Sequence, residues 1–464
     1  MDNQNIEFKN DGMTVHMIGI GGISMSGLAE ILMNRNVKIT GSDLNETEIT
    51  KRLRAMGAVI SIGHSADNIS GQDLVVYTAA VEQDNPELTE ARKRNIPVID
   101  RSELLGAIMD QYENCIAVSG THGKTTTTSM IASILLEAGL DPTIHVGGIL
   151  NLIGGNTRIG SSSYFIAEAC EYKNSFLHFR PSLAVVLNIE ADHLDFFRDI
   201  EEIKSSFASF IANVRTPGLV VLNIDDPHTK SICKVLTRPV ITFGVNSPDA
   251  DWTCENVTIK DGFAELLVMY KKAVWAEIRL SVPGMHNVSN ALAAIAACHG
   301  LGVPKAAIIK GIESFRGACR RLEHKGKINN ITVMDDYAHH PTEIQASLKA
   351  ARVLTSSRLI CVFQPHTYSR THELLDDFSM AFALADTVIV TDIYAAREKD
   401  TGLIHSRTLT ERINTNTGNA VYISDFSDIV KYLHENAAPG DLVITMGAGD
   451  VFKVADMFLS ATTV

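Results

Sequence analysis

Short apolar runs alternate with helix-length amphipathic stretches through most of this chain. Such alternation is typical of parallel sheets whose two faces are covered by helices. The sequence therefore predicts an α/β fold. Residues 251–282 alternate apolar and polar side chains instead, which predicts an antiparallel ribbon. The other predicted strands occupy residues 15–18, 37–40, 74–78, 97–99, 115–118, 164–167, 183–187, 219–223, 331–334, 359–363, 387–391 and 442–445.

These elements fall into three successive series, in line with the length of 464 residues, which favours about three domains. The first series ends near residue 108. The second ends at the segment RGACRR, so that the expected domains cover residues 1–108, 109–319 and 320–464.

Composition and charge exclude several classes of protein. The chain has 41 Lys and Arg against 54 Asp and Glu, the wrong balance for a dedicated duplex binder, so no nucleic-acid partner is expected. Its seven cysteines form no CxxC pair, which argues against a zinc ribbon or a disulfide framework. The polar N-terminal residues, and apolar runs well short of the roughly 20 residues of a membrane helix, predict a cytoplasmic protein without membrane insertion.

A glycine-rich turn lies between the predicted strand at 115–118 and the helix after it. Free backbone N–H groups and the positive end of a helix can hold phosphate oxygens at such a position. We expect Lys124 to reach the β- and γ-phosphates and Thr125 to ligate magnesium. The spacing departs from the strict GxxxxGK[ST] pattern, so a plain turn with a solvated lysine stays an alternative. The turn consists of Gly120, Thr121, His122, Gly123, Lys124, Thr125 and Thr126.

The first predicted strand also runs into a glycine turn. This turn is similar to the GxGxxG pattern of dinucleotide-binding proteins, with Ser24 at the third glycine position. Asp43 follows about twenty residues on, where a Rossmann domain has its ribose-binding acid. Taken alone, the pattern favours NAD, but the diphosphate of a sugar nucleotide offers the same oxygens, and a simple packing turn is a third interpretation. The turn glycines are Gly19, Gly21 and Gly22.

Carboxylates follow two further predicted strands. Glu168 comes directly after the run at 164–167, and Asp192 and His193 follow the run at 183–187. Ligands of open α/β sheets bind at this carboxyl edge, and Mg²⁺ prefers oxygen ligands. Together with Thr125, these groups are expected to hold two divalent ions around a triphosphate. A single acid of this kind is as readily a helix cap or a surface residue.

Two polar segments lie further along the chain. PGMHNVSN at 283–290 precedes an alanine-rich helix predicted over 290–299, and an ordinary capping segment explains it equally well. DDYAHHP at 335–341 follows a predicted strand. Its paired His339 and His340 suggest zinc at first sight, but no further ligand stands at a recognisable spacing, so we predict no zinc.

As a set, these motifs resemble the Mur ligases, and the resemblance covers nearly the whole chain. GTHGKTT alone is typical of the superfamily, whereas GIGGISMSG together with DDYAHHPTE points to the alanine-adding member. The matching segments are IGIGGISMSGLA at 18–29, GSD at 41–43, SGTHGKTTTT at 119–128, EACE at 168–171, DHLD at 192–195, PGMHNVSN at 283–290, DDYAHHPTE at 335–343, FQPHTYSRT at 363–371 and TMGAGD at 445–450.

The resemblance implies a Rossmann-like N-terminal domain for the UDP end of the substrate and a central P-loop ATPase domain with a mostly parallel sheet plus the antiparallel ribbon. A Rossmann-like C-terminal domain closes and brings the amino acid. The implied substrates are UDP-N-acetylmuramate, L-alanine and ATP, with two Mg²⁺ ions. The implied reaction proceeds through an acyl phosphate in peptidoglycan synthesis, by a monomer or homodimer.

The resemblance also assigns residues to each ligand. Contacts to the UDP-sugar fall on Gly19, Gly21, Gly22, Ser24, Asp43 and His64, which removes the NAD interpretation. Beyond the phosphate turn, contacts to ATP fall on His286, Asn287, Asn290, Arg321 and Asp336. The amino acid is assigned to Tyr337, His339 and Arg370, and the metal ions to Thr125, Glu168 and His193. The implied catalytic groups are Lys124, His193, Arg321 and His339, the last as proton acceptor.

Two positions depart from the family pattern. Ala208 stands where many relatives have a carbamylated lysine that helps to hold the second metal, although alanine-adding members generally lack it. Thr367 stands where some alanine-adding relatives have an arginine, which places more of the carboxylate binding on Arg370. Two rivals stay open: a recycling ligase that adds a whole peptide, and a nucleotide-binding regulator without catalysis.

Overall fold

The computed structural model of the protein describes residues 12–78, 80–194, 196–234, 236, 238–396 and 398–460. The chain forms two compact units. The first unit contains the chain up to Glu190 together with Ile200–Phe243 and Ala293–Gly311. The second contains Ala191–Asp199, Gly244–Leu292 and the chain from Ile312 onward. No helix in the described part is long and apolar enough to cross a membrane.

The first unit begins with a five-stranded parallel sheet in the order β3-β2-β1-β4-β5. Its strands are β1 (Thr14–Ile18), β2 (Lys38–Asp43), β3 (Val59–Ile62), β4 (Leu74–Tyr77) and β5 (Val98–Asp100). The helices of this part are α1 (Ile23–Asn34), α2 (Glu48–Ala55), α3 (Pro86–Lys93) and α4 (Arg101–Met109). A 3-10 turn lies at Ala66–Asn68.

The same unit contains a larger sheet in the order β12-β11-β10-β6-β9-β7-β8, parallel except for the β7–β8 hairpin. Its strands are β6 (Asn114–Ser119), β7 (Thr143–Leu150), β8 (Gly155–Arg158), β9 (Tyr164–Ala169), β10 (Leu183–Val186), β11 (Leu219–Asn223) and β12 (Val240–Phe243). The helices are α5 (Lys124–Glu137), α6 (Ile200–Ala212) and α7 (Pro227–Cys233), and 3-10 segments lie at Asn151–Ile153 and Tyr172–His178.

The second unit contains the predicted antiparallel ribbon, formed by β13 (Trp252–Lys260), β14 (Phe263–Tyr270) and β15 (Ala273–Pro283). Its main sheet has the order β16-β17-β21-β18-β19-β20 and is parallel except for the pair β16–β17. These strands are β16 (Glu323–Ile328), β17 (Ile331–Asp336), β18 (Leu359–Phe363), β19 (Thr387–Val390), β20 (Ala420–Tyr422) and β21 (Leu442–Met446). Helices α8 (Met285–Gly300) and α9 (Lys305–Ser314) contain residues of both units. The remaining helices are α10 (Pro341–Val353), α11 (Tyr368–Glu373), α12 (Leu375–Ala381), α13 (Ser406–Asn416), α14 (Phe426–Asn436) and α15 (Phe452–Ser460).

The sequence of strand β18 is apolar throughout because both faces of the strand are buried. Leu359, Cys361 and Phe363 belong to one buried cluster, whereas Ile360 and Val362 belong to another. Successive side chains of a strand point to opposite faces, so each face of this sheet has its own core. A parallel sheet covered on both sides therefore needs a continuous apolar run, and the α/β prediction is confirmed.

Some predicted bounds differ from the structure. The helix predicted over 290–299 begins at Met285, because Asn287 already donates its backbone N–H to Gly284 O at 3.0 Å and its side-chain amide to Pro283 O at 2.7 Å. His286 and Asn287 thus lie in the first turn of α8 rather than before it. Strands β3, β7, β8, β12, β16 and β20 were not predicted, because their short or glycine-containing sequences lack a strong period.

Helix α1 packs closely on the β7–β8 hairpin at Gly27. A Cβ at this position would lie 2.0 Å from Thr157 Oγ1 and 3.0 Å from His145 Cε1. Asn156 Nδ2 also donates to Ile23 O at 2.8 Å. The glycine turn that precedes α1 is therefore fixed against the central sheet by a contact that only glycine permits.

We expect Gly27→Ala to destabilise the protein by about 1–3 kcal/mol, because the clash outweighs the gain of about 1 kcal/mol in helix propensity. Urea unfolding measures the change. Gly155→Ala in the same hairpin is the matched control, since a Cβ there meets nothing within 4 Å. Equal stability of the two variants would contradict the packing argument.

Candidate functional site

The phosphate turn between β6 and α5 is held by the segment after β10. Asn188 Oδ1 accepts from His122 N at 2.8 Å, and Asn188 Nδ2 donates to His122 O at 3.1 Å. Gly123 is the N-cap of α5 with φ at 84°, a left-handed conformation that favours glycine. Because the cap has no side chain, the first N–H groups of the helix are left to an anion.

Lys124 lies against this turn and carries a charge. Its Nζ donates to Gly120 O at 2.5 Å and to Thr121 O at 3.0 Å, and it lies 3.0 Å from Glu171 Oε2. Burial alone would lower the pKa of Lys124, but the Glu171 carboxylate outweighs burial, and the pKa is raised. The lysine is therefore a fixed cation at the start of α5, the position where the charge of a phosphate needs compensation.

Glu168 and Thr125 approach the same glycine pair from two sides. Glu168 Oε1 accepts from Gly147 N at 2.7 Å, and a Cβ on Gly148 would lie 3.5 Å from Thr125 Cγ2. A carboxylate and a hydroxyl are oxygen donors that suit Mg²⁺, which binds one or two protein groups and completes its shell with phosphates and water. The donor set of the first unit therefore fits the predicted magnesium ligands.

The first glycine turn is tied to β2. Gly19 N donates to Ser42 O at 2.8 Å, and Gly21 N donates to Asp43 Oδ2 at 2.9 Å. Asp43 thus orders the turn itself, a role that the ribose interpretation did not include. Gly22 is the N-cap of α1, whose first turn contains no acidic residue. The start of α1 is consequently open to a diphosphate.

His64 lies beside this turn and is held by a buried carboxylate. Its Nδ1 is 2.9 Å from Glu87 Oε2 and 3.1 Å from Ser42 Oγ, and Asn68 Nδ2 donates to Glu87 Oε1 at 2.6 Å. Burial would raise the pKa of Glu87, but hydrogen bonds from its neighbours outweigh it and lower the pKa. Glu87 was not predicted from the sequence, since a lone acid in the first turn of a helix reads as a capping residue.

In the second unit, Arg321 interacts with several of the predicted site residues. Its guanidinium carbon lies 5.2 Å from the centre of the Tyr337 ring. Burial, reinforced by the Arg321 charge, lowers the pKa of His286 to about 4. Burial also raises the pKa of Asp336 to about 6, against the opposing charge of Arg321.

Asp336 has a structural role that the sequence did not predict. Its two carboxylate oxygens accept from Leu322 N at 2.7 Å and Ala338 N at 2.8 Å, and the residue is almost fully buried. It clamps the segment carrying Arg321 to the end of β17, which leaves little surface for a ribose. The ribose assignment stays a prediction.

Arg320 is a second residue that sequence reasoning missed. Its Nε donates to Asp335 Oδ2 at 2.9 Å, and its two Nη atoms donate to Gly449 O at 2.9 Å and Gly447 O at 2.6 Å. Arg320 therefore fixes the glycine loop after β21. The adjacent arginines of the RR pair differ in role, and the sequence offers no signal to tell them apart.

Arg370 and His339, both predicted at the amino-acid end, lie near Asp192, which was not part of that prediction. Asp192 Oδ1 accepts from Arg370 Nε at 3.2 Å and Nη2 at 2.9 Å, and Arg370 Nη1 donates to His366 O at 3.0 Å. Burial would raise the pKa of Asp192, but the Arg370 charge lowers it well below its usual range. Arg370 thus has a carboxylate partner within the protein, which the prediction of a substrate-binding arginine did not include.

His193 and His339 differ in their environments. The backbone of His193 has φ at 56°, and its N–H donates to Asp192 Oδ1 at 2.7 Å. A left-handed conformation at a non-glycine residue is strained and is frequent at functional sites. Burial lowers the pKa of His339 to about 3, so its ring is neutral. Asp195 of the DHLD motif lies outside the described residues.

The structure therefore brings the predicted residues together in two sets. The first unit contains both glycine turns, Lys124, Thr125 and Glu168; the second contains His193, Arg321, His339 and Arg370. His286, Asn287 and Asn290 also belong to the second unit, where Asn290 Nδ2 donates to Asn287 Oδ1 at 3.0 Å.

Comparisons with known proteins decide the family. Models of the Mur ligase family catalytic domain, the Mur ligase middle domain and the Mur ligase glutamate ligase domain match residues 14–113, 118–298 and 320–449. A UDP-N-acetylmuramate--L-alanine ligase from Acetivibrio thermocellus is 59% identical over 446 residues, covering 96% of this chain and 95% of the relative. The chain belongs to the Mur ligase family.

Two solved Mur ligase structures extend the comparison. The UDP-N-acetylmuramate-alanine ligase of Thermotoga maritima has a TM-score of 0.82 and 31% identity, with 97% of this chain and 98% of that chain covered. A murein peptide ligase of Psychrobacter arcticus has a TM-score of 0.71 and 27% identity, with 98% and 100% covered. The α/β fold predicted for this Mur ligase is thus shared over its whole length.

The two departures from the Mur ligase pattern have clear positions. Ala208 lies within α6, where it offers no ligand atom to a metal. Thr367 precedes α11, and its hydroxyl donates to Glu398 Oε1 at 2.6 Å. Glu398 also accepts from Ser369 N at 3.0 Å. Thr367 therefore helps to hold the start of α11, the helix that contains Arg370, and adds no positive charge there.

We expect Glu171→Gln to lower kcat/KM for ATP about tenfold or more, because the buried Lys124 ammonium loses the charge that orients it. Initial rates at varied ATP measure the effect. Glu137→Gln is the matched control, since Glu137 is the last residue of α5, the helix that begins at Lys124, and pairs with the exposed Lys310 at 2.5 Å; its rates should stay within about twofold. Rates of Glu171→Gln within twofold of wild type would remove Glu171 from the site.

Proposed function

We propose that this Mur ligase joins L-alanine to the carboxylate of UDP-N-acetylmuramate and converts ATP to ADP and phosphate. The observation that carries the proposal is the charged Lys124 in the phosphate turn. The same unit contains a second suitable helix start, that of α1, whose first turn has no acidic residue and suits a diphosphate. The 59% identity to an alanine ligase supports the choice of substrates. We also infer that residues 1–108 bind the UDP-sugar, residues 109–319 bind ATP and residues 320–464 bind the amino acid.

The reaction needs activation because a carboxylate is a poor electrophile. In the first step, a carboxylate oxygen of the muramyl group attacks the γ-phosphorus of ATP, the bond to the bridging oxygen breaks, and ADP leaves. Lys124 and the N–H groups at the start of α5 stabilise the charge on the moving phosphoryl group. We propose that Arg321 stabilises the same charge.

Thr125 and Glu168 are the residues that would hold Mg²⁺, and His193 is proposed as a further ligand. When bound, the ion neutralises charge on the phosphate oxygens. Two ions are proposed, although Ala208 removes one ligand available to other family members.

In the second step, the neutral amine of alanine attacks the carbonyl carbon of the acyl phosphate, phosphate leaves with the bonding electrons, and the amine loses a proton. A general base works best with a pKa near the operating pH. Since His339 has a pKa of about 3, it holds a proton weakly. We therefore propose that His339 orients the amine through a neutral ring, with the departing phosphate or water as the proton acceptor.

Release of phosphate from ATP and magnesium, followed with and without each substrate, tests the function. We expect release that depends on both UDP-N-acetylmuramate and L-alanine, and a product heavier by one alanine residue in mass spectrometry. Lys124→Ala should abolish release while the protein stays folded, because the phosphate turn loses its cation. Release driven by a peptide in place of alanine would assign the recycling reaction instead.

We expect Arg370→Ala to raise the KM for alanine about tenfold or more with a smaller change in kcat, because the amino-acid end loses its guanidinium. Steady-state kinetics at saturating ATP and UDP-N-acetylmuramate measure it. Arg412→Ala is the control, since Arg412 pairs with Asp376 at 2.7 Å on the surface of the same unit. An unchanged KM for alanine in Arg370→Ala would remove this residue from the amino-acid site.

A further inference from the structure

Arg101 carries a positive charge beside the first glycine turn. It is the first residue of α4 and is half-buried, and its Nη1 donates to Ser24 Oγ at 2.9 Å. Among the residues that the structure describes, no carboxylate lies within ion-pair distance of it. Arg158 and Arg215 of the same unit each pair with an aspartate. A half-buried guanidinium bound only to a hydroxyl keeps its charge available to a ligand.

Arg101 belongs to a small network of polar side chains. Arginine only donates, so Ser24 Oγ accepts from it, and Ser24 Oγ also lies 2.9 Å from His145 Nε2. His145 Nδ1 lies 3.0 Å from Thr157 Oγ1. Burial, with the Arg101 charge, lowers the pKa of His145 to about 3, so the ring is neutral. The network orients Arg101 and contains no acidic group.

Arg101 lies beside the first glycine turn and within electrostatic range of Cys170, the neighbour of Glu171. Ser24 belongs to the first turn of α1, after the glycine turn suited to a diphosphate. His145 lies two residues before Gly147 on β7, about 7 Å along the strand, and Gly147 N donates to Glu168 Oε1. Glu168 is three residues before Glu171, the partner of Lys124. Hydrogen bonds and short stretches of backbone thus connect Arg101 to the residues beside Lys124.

On the basis of the proposed function, we propose that Arg101 binds the lactyl carboxylate of UDP-N-acetylmuramate and selects sugar nucleotides that carry it. This carboxylate must lie between the diphosphate and the γ-phosphate of ATP, because one of its oxygens attacks that phosphate. A guanidinium matches a carboxylate in geometry, and it still faces the remaining oxygen after the other has been phosphorylated. Arg101 is therefore a substrate-binding residue beyond those found in the motifs.

Isothermal titration with two ligands tests this assignment. UDP-N-acetylglucosamine has the same uridine, diphosphate and amino sugar but lacks the lactyl carboxylate. We expect Arg101→Ala to weaken UDP-N-acetylmuramate about 10- to 100-fold and UDP-N-acetylglucosamine less than about twofold. Arg101→Lys, which keeps the charge without the fork, should give an intermediate loss. Arg94→Ala should change neither affinity, since Arg94 pairs with Glu90 on the surface of α3.

Equal losses for both ligands would indicate that Arg101 binds the diphosphate, and would overturn the assignment. Unchanged affinities for both ligands would also overturn it. Retained binding of UDP-N-acetylglucosamine shows that the variant is folded. If the wild-type protein failed to turn over UDP-N-acetylmuramate, the proposed function would fall; wild-type turnover with an unaffected Arg101→Ala would reject only the role of Arg101.

Discussion

The parallel direction of the strands is the constraint on which this molecule depends. Because all strands of a parallel sheet end at one edge, polar residues far apart in the sequence meet there. Asn188 follows β10 and hydrogen bonds to the turn after β6, while Glu168 in β9 binds the backbone of β7. The apolar interior of each strand is what permits this, since burial of both faces leaves only the strand ends for chemistry.

Charges at these edges are held by partners within the protein. Lys124 has Glu171, Arg370 has Asp192 and Arg320 has Asp335. A buried charge without compensation is costly, so each pair keeps a functional or structural group ionised where water is excluded. The two carboxylates act on different parts of the fold: Glu171 holds Lys124 against the turn before α5, whereas Asp335 anchors Arg320 to the glycine loop after β21. Paired geometry alone therefore does not mark a residue as part of the chemistry.

The sequence predicted the fold class and the two glycine turns before helices because both depend on local patterns. A glycine turn between an apolar run and a helix is visible within about ten residues. Glu87, Arg101 and Arg320 were missed because their partners lie far away in the chain and become neighbours only through folding. The clamp formed by Asp336 was missed for another reason: a carboxylate at the end of a strand resembles a ligand-binding acid until its hydrogen bonds are seen. Gly27 also has no sequence signal, since the atom that excludes a Cβ belongs to a hairpin more than a hundred residues later.

The close packing of α1 on the β7–β8 hairpin has a consequence for substrate choice. Helix α1, which follows the first glycine turn, is packed at Gly27 against Thr157 of the hairpin beside Glu168, with no room for a Cβ. The spacing between the first glycine turn and the phosphate turn is therefore set by packing within the protein. In the proposed function, this fixed spacing selects substrates by length, because the acid group must stand at the right number of bonds from the diphosphate.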